Sequence, residues 1–241
     1  MARRRSTLAL LALAVVAFGL DVLLARRALV ETDGGFQLSE TVELPAPRTA
    51  GPVSVEETFA ARRSRRSFGP GPLARWELGQ LLWAAQGVTD PGRGFRAAPS
   101  AGARYPLELF VVVGESGVEG LEAGIYRYEP ERHALSMGAR GDVRTPLQAA
   151  ALDQESVGGA PVDVLVMGVD ERTTARYGER GARRYVPMEA GHAGENLSLQ
   201  AESLGLATVS IGAFDDDRVR ELVGAPATYR SLYVFPVGRR R

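Results

Sequence analysis

The chain contains no cysteine and only two histidines, His133 and His192. The first absence excludes disulfides, iron–sulfur clusters, thiolate zinc sites and a cysteine nucleophile. The second leaves too few imidazoles for a histidine-rich metal site. Net charge is also absent: 29 basic residues balance 29 acidic ones, so bulk electrostatics suggest no nucleic-acid partner. There is no GxxxxGK[ST] phosphate loop, no GxGxxG dinucleotide fingerprint, no HExxH and no GxSxG. What remains is an ordinary globular balance, 45% hydrophobic and 24% charged over 241 residues, enough for a full core.

The N-terminus differs from the rest. Arg3, Arg4 and Arg5 precede the run LALLALAVVAFGLDVLLA at residues 8–25, interrupted only by Asp21. That length is near the lower limit for a bilayer-spanning helix. Residues 1–30 therefore read as a membrane anchor or an export signal, and Arg4-Arg5 gives a partial twin-arginine look. The balance of flanking arginines weakly favours a cytoplasmic N-terminus, which would place the following domain outside. Residues 31–53 hold three prolines and three glycines without periodicity and read as a linker or extended arm. A single domain is expected over 54–241.

Ser54-Val-Glu-Glu57 is a capping-box pattern that predicts a short helix. Leu78, Leu81, Leu82 and Ala85 keep helical spacing up to Gly87. PLELFVVVG at 106–114 predicts a strand, and GIYRYEPERHALSMG predicts two strands around a Glu-Pro turn. Pro146 opens a helix. PVDVLVMGV at 161–169 is apolar enough for a fully buried strand. MEAGHAGENLSLQAESLGL predicts a long helix ended by Gly205, ATVSIGAF a strand, Asp215 a helix cap, and SLYVFPVG a last strand. These elements predict a three-layer α+β domain with a mixed, mostly antiparallel sheet flanked by helices.

One stretch carries more chemistry than the others. ARRSRRSFGPG at 61–71 gathers Arg62, Arg63, Arg65 and Arg66 around Ser64. Guanidinium groups match phosphate oxygens bidentately, and a phosphate monoester, with close to two charges, needs several cations. Ser64 adds a hydroxyl donor. A solvated basic face, or a membrane-surface patch, would use the same residues.

RRSRRSF resembles the N-terminal motif of the FMN-dependent nitroreductase superfamily. LLWAAQGVTD, APSAGARYPLELFVVV, GIYRYEPE, the long stretch RYGERGARRYVPMEAGHAGENLSLQAESLGLATVSIGAFDDDRV, and FPVGR continue the likeness in order. Together they resemble the SagB-type dehydrogenase branch, over roughly residues 44–240. The resemblance implies a nitroreductase-like fold, an intertwined homodimer with FMN at the interface, and hydride transfer between flavin N5 and a small or peptide-borne substrate by ping-pong turnover. It implies a phosphate grip from Arg62, Arg63, Ser64 and Arg66, with Arg65 at a variable, solvated position. Pro99, Ser100, Ala101 and Gly102 fall on the loop that reaches the flavin from the partner subunit. Gly212 and Ala213 fall where backbone N–H groups meet the ring near N5, where hydrogen bonds tune the cofactor. Arg239 resembles a second phosphate contact, while Arg240 and Arg241 read as a charged tail.

Arg176-Tyr177 falls where azoline oxidases of this branch carry Lys-Tyr, the lysine serving as base. Arginine does not lose its proton, so this pair points away from that route. Tyr177 remains able to act as an acid or to position substrate. His192 is expected to pack within a helix, donating to a backbone carbonyl, rather than to act as acid or base. Gly191 and Gly194 each cost about 1 kcal/mol in a helix relative to Ala, so a partner subunit or the flavin ring is expected to approach them. A non-catalytic, membrane-tethered flavin-binding module is the alternative reading.

Overall fold

A computed structural model describes residues 40–241; the apolar run at 8–25 lies outside them. The centre is a seven-stranded sheet. Its strands are β1 (Glu40–Glu43), β4 (Leu107–Val113), β5 (Gly124–Glu129), β6 (Ala134–Arg140), β7 (Val162–Val169), β8 (Leu206–Thr208) and β9 (Tyr229–Arg239), in the order β1-β6-β5-β4-β7-β9-β8. β2 (Val88–Asp90) and β3 (Phe95–Arg96) form a separate small ribbon. Every pairing between these strands is antiparallel. The mixed sheet expected from the interspersed helices is not found among the described residues. The reason is that β4–β5 and β5–β6 are joined by short connections, whereas a parallel pair needs a long crossover.

Seven helices lie among the described residues: α1 (Val55–Ala61), α2 (Arg75–Gln86), α3 (Arg144–Ala150), α4 (Glu155–Gly159), α5 (Asp170–Tyr177), α6 (Val186–Ser203) and α7 (Asp216–Leu222). None is long and apolar enough to cross a membrane. They cover both faces of the sheet. β4 alternates, with Leu109, Val111 and Val113 in one core and Phe110 and Val112 in the other, as the two-residue period of a strand requires. The first core is closed by Leu78, Leu81, Leu82 and Ala85 of α2 and by Val186, Ala190, Ala193, Leu197 and Ala201 of α6. The second is closed by Leu147, Ala150, Val157 and Val219 of α3, α4 and α7, and by Val223 just after α7. All eight residues of β7 are buried, which fits a strand covered on both sides.

Residues 40–53, expected as a linker or an extended arm, are bound to the domain. β1 pairs with β6, from Glu40 opposite Met137 to Glu43 opposite Ala134. Leu44 N–H donates to the His133 carbonyl, and His133 Nε2 lies 3.0 Å from the Pro45 oxygen. The Arg48 N–H donates to Gln80 Oε1 at 2.8 Å. The segment is an edge strand and a strap on the domain, so the folded body reaches back at least to Glu40.

Two expectations about α6 also change. Gly194 faces Phe235 of β9: a Cβ there would lie 2.6 Å from the Phe235 ring. The approach that removes the side chain is therefore helix on sheet within one chain. His192 is exposed rather than packed, and nothing lies within 4 Å of a Cβ built on Gly191.

Candidate functional site

The arginine segment begins where α1 ends. Ser54 Oγ accepts from Glu57 N–H, and Glu57 Oε2 accepts from Ser54 N–H, the reciprocal box the sequence predicts. α1 stops at Arg62, whose N–H still reaches the Thr58 carbonyl. The chain then lies across the end of the sheet: Arg65 N–H donates to the Thr208 carbonyl at 2.9 Å and Gly69 N–H to the Arg239 carbonyl at 2.8 Å. The backbone is thus fixed from both ends while its side chains fan outward. Ser64 and Arg66 are exposed and make no hydrogen bond or ion pair among the described residues. Arg63 keeps Nη1 on the Ala60 and Arg62 carbonyls, leaving its other donors open. Arg62 Nε stands 3.4 Å from Glu195 Oε1, both groups well exposed.

Arg65 is the exception, and not the solvated residue expected. It is partly buried, its Nη2 lies 4.0 Å from Glu202 Oε2, and its Nε is buried without a partner. Arg240 meets the other oxygen of the same carboxylate at 2.6 Å, and Arg241 Nε donates to the Phe68 carbonyl at 2.9 Å. The supposed charged tail is therefore bound to the fold. Arg239, expected at a phosphate, is largely committed: Nε donates to the Pro72 carbonyl, and Nη1 pairs at 2.7 Å with the buried Glu77, whose other oxygen accepts from the Ala74 N–H at the start of α2.

A second set of open donors lies further along the same edge. Ile211 exchanges both backbone hydrogen bonds with Val234, at 2.9 and 3.0 Å. Asp215 N–H bonds the Ala150 carbonyl, and the Asp215 side chain accepts from Arg218 N–H to cap α7. Between these fixed points Gly212 and Ala213 are exposed. Their N–H groups have no acceptor among the described residues, while the Ala213 carbonyl takes Gln154 Nε2. Thr208, which holds Arg65, is four residues from Gly212, about 13 Å at full extension. Unpaired cationic donors and unpaired amides on one edge fit an elongated ligand with a phosphate at one end and a polar ring at the other. That is the donor set FMN requires.

The loop at 99–105 belongs to a different group. Its backbone is strained into left-handed conformations at Gly102 (φ 63°), Ala103 (φ 53°) and Tyr105 (φ 45°). Ser100 Oγ accepts from Tyr105 N–H at 2.8 Å. A Cβ on Gly102 would lie 2.6 Å from the Tyr177 hydroxyl and 3.4 Å from Arg176 Nε, so the fold brings these three expected residues together. The Tyr177 ring meets Tyr185 edge to face at 5.0 Å, and Arg176 lies 5.4 Å over the Tyr177 ring. The π-helical turn Gly181–Tyr185 follows α5 after three residues. No hydrogen bond or ion pair joins this loop to residues 62–66 or to Gly212 and Ala213 among the described residues.

One residue here escaped the sequence reading. Glu189 of α6 is 2% exposed, and its Oε1 is buried without a hydrogen-bond partner among the described residues. Burial pushes its carboxyl up to about 7, against smaller downward pulls from Ser100 and Arg96. The available signal was positional. Glu189 stands three residues after Val186 and four before Ala193, next to the apolar stripe that faces the core.

The profile of the nitroreductase family matches residues 59–239, and the chain belongs to that family, whose members are in general FMN-dependent oxidoreductases. Among relatives, it is 43% identical over 203 residues to MJ1384 of Methanocaldococcus jannaschii, which carries a nitroreductase name; the match spans 84% of this chain and 99% of that protein. A crystal structure from Ralstonia eutropha, also of nitroreductase name, superposes with a TM-score of 0.72 at 27% identity, over 84% of this chain and 90% of that one. The Escherichia coli microcin synthetase McbBCD complex with truncated pro-MccB17 bound gives a TM-score of 0.66 at 26% identity, over 86% and 80%.

Proposed function

We propose that the protein is a SagB-like FMN oxidoreductase whose flavin sits between two copies of the chain. The observation that carries this reading is the edge where Ser64 and Arg66, with the outward donors of Arg62 and Arg63, stand open near the unpaired amides of Gly212 and Ala213. Arg62, Arg63, Ser64 and Arg66 hold the phosphate, and Gly212 and Ala213 donate to the ring. When bound, FMN supplies two-electron transfer at N5, taken up from one substrate and delivered to another in ping-pong turnover. Residues 99–102, which make no polar contact with that edge within one chain, close the flavin from the partner subunit and present Arg176 and Tyr177 to the substrate. The exposed apolar side chains Val55, Phe59 and Met188, beside the open Gly191, are the surface for the second copy. The microcin complex, which holds a peptide, supports a peptide-borne substrate alongside small ones.

Purified protein should be yellow, and heat should release a flavin that runs as FMN on chromatography. Colourless protein that takes up no added FMN overturns the reading. Light scattering of the full chain should give a dimer; a monomer that holds flavin ends the shared site. The tether at residues 8–25 is proposed on sequence alone. Cell fractionation, followed by protease treatment of spheroplasts, tests both the anchor and an extracytoplasmic domain.

A further inference from the structure

The stretch from α5 into the π-helical turn carries Arg176, Arg180, Arg183 and Arg184 beside the 99–105 loop. Most positive charge around it is answered locally. Arg172 Nη2 pairs with Glu108, and its Nη1 bonds the Tyr105 carbonyl at 3.0 Å. Arg183 pairs with Glu179 at 3.2 Å, and Arg180 Nε donates to Tyr185 Oη at 3.0 Å. Arg104 Nε donates to the Arg172 carbonyl. Arg176 is different. It makes no hydrogen bond and no ion pair among the described residues; its one interaction is with the ring of Tyr177. Glu171, on the same helix five residues earlier, lies on another face, because helix neighbours are three and four residues apart. The Tyr177 hydroxyl, beside Gly102, is also without a hydrogen-bond partner among the described residues.

We infer that Arg176 and Tyr177 form an anion-recognition site that selects a substrate carrying a carboxylate or phosphoryl group. The inference rests on the flavin reading above and names the substrate class of that site. A guanidinium is always charged and offers a planar fork of donors, so it binds an oxyanion and does not serve as a base. The phenol supplies one more O–H donor. Glycine at 102 is what lets both approach the loop: a side chain there would occupy the position of the Tyr177 hydroxyl. Arg104 and Arg180, whose bonds go to neutral oxygens, and Arg184 leave positive charge around the pair, while the carboxylates Glu108 and Glu179 are already paired.

The test is calorimetric titration of the oxidised, FMN-checked protein with benzoate, its neutral isostere benzamide, and phenyl phosphate. The flavin spectrum, recorded first, reports the underlying reading separately: colourless protein removes that reading, whereas coloured protein with no anion preference removes only this inference. Benzoate or phenyl phosphate should bind at least tenfold more tightly than benzamide, and the tighter of the two identifies carboxylate or phosphoryl as the group read. R176Q should lose the preference, R176K should keep part of it, and raising salt should weaken the anions but not benzamide. Equal affinity for benzoate and benzamide, no binding of either anion, or an undiminished preference in R176Q with flavin still bound overturns the assignment.

Discussion

Two stretches of this chain each hold four arginines within nine residues, 62–66 and 176–184, and the fold treats them differently. The first is braced from behind by α6. Glu195 stands beside Arg62, and Glu202 holds Arg65 together with Arg240. Two arginines thus anchor the segment, and Ser64 and Arg66 are left facing outward. The second stretch meets no acidic helix face. Only Arg183 meets a carboxylate, Glu179, among the described residues, and Arg176 and Arg184 make no hydrogen bond or ion pair. The same helix offers its third carboxylate, Glu189, to the Ser100 loop, where no arginine forms an ion pair with it. An arginine count therefore says little about binding. What matters is which guanidinium groups the fold leaves unneutralised, and on which edge.

The largest expected effect comes from Glu189. Its carboxyl prefers the protonated form in the folded state, so its own contribution to stability is most favourable in acid, is lost as pH rises from about 4.5 towards 7, and stays reduced above that. The full deficit is on the order of 3 kcal/mol. Glu189→Gln should raise the urea midpoint at pH 8 and leave it unchanged at pH 4; a gain of equal size at both pH values would show that the carboxyl does not titrate in the fold. Next, Arg66→Ala removes an outward charge-assisted donor, about 1–3 kcal/mol, and should weaken FMN binding roughly 5- to 150-fold by fluorescence titration. Gly102→Ala forces an L residue to φ 63° against the Tyr177 hydroxyl. It should cost about 1–2 kcal/mol of stability in chemical denaturation. Smallest is Arg65→Ala, whose partner keeps Arg240. Flavin affinity should change less than about fivefold, the size of a partly exposed ion pair. Losses as large as those of Arg66→Ala would erase the distinction between bracing and gripping arginines.

The parts legible in the sequence were those set by local rules. The Ser54 cap, the stop after Gln86, the hairpin around Pro130 and the buried run of β7 all follow from residues close together in the chain. α5 was missed because DERTTARY is polar nearly throughout, with a single buried residue, Thr173. β1 was missed because ETVE stands beside a proline-rich segment and gains its order only from β6, far along the chain. Arg65 was misjudged for a similar reason. Its register looked solvated, but its burial depends on Glu202 and Thr208. The sequence singled out Arg176, Tyr177 and Gly102, which the fold brings together. It gave no hint of Glu189, whose meaning depends on Ser100 lying against it.

The joins that hold the site together all run to β8 or β9. Gly69 is tied to Arg239, Ile211 to Val234, and Arg65 to Thr208, and the central strand β7 itself waits for β9 along one whole side. Contacts this distant form late, since loop closure must be met before pairing rewards it. During synthesis, a ribosome that has not yet released β9 carries a chain whose Arg62–Arg66 segment is made but lacks its tie from Gly69 to Arg239. Assembly of that edge therefore waits for β9.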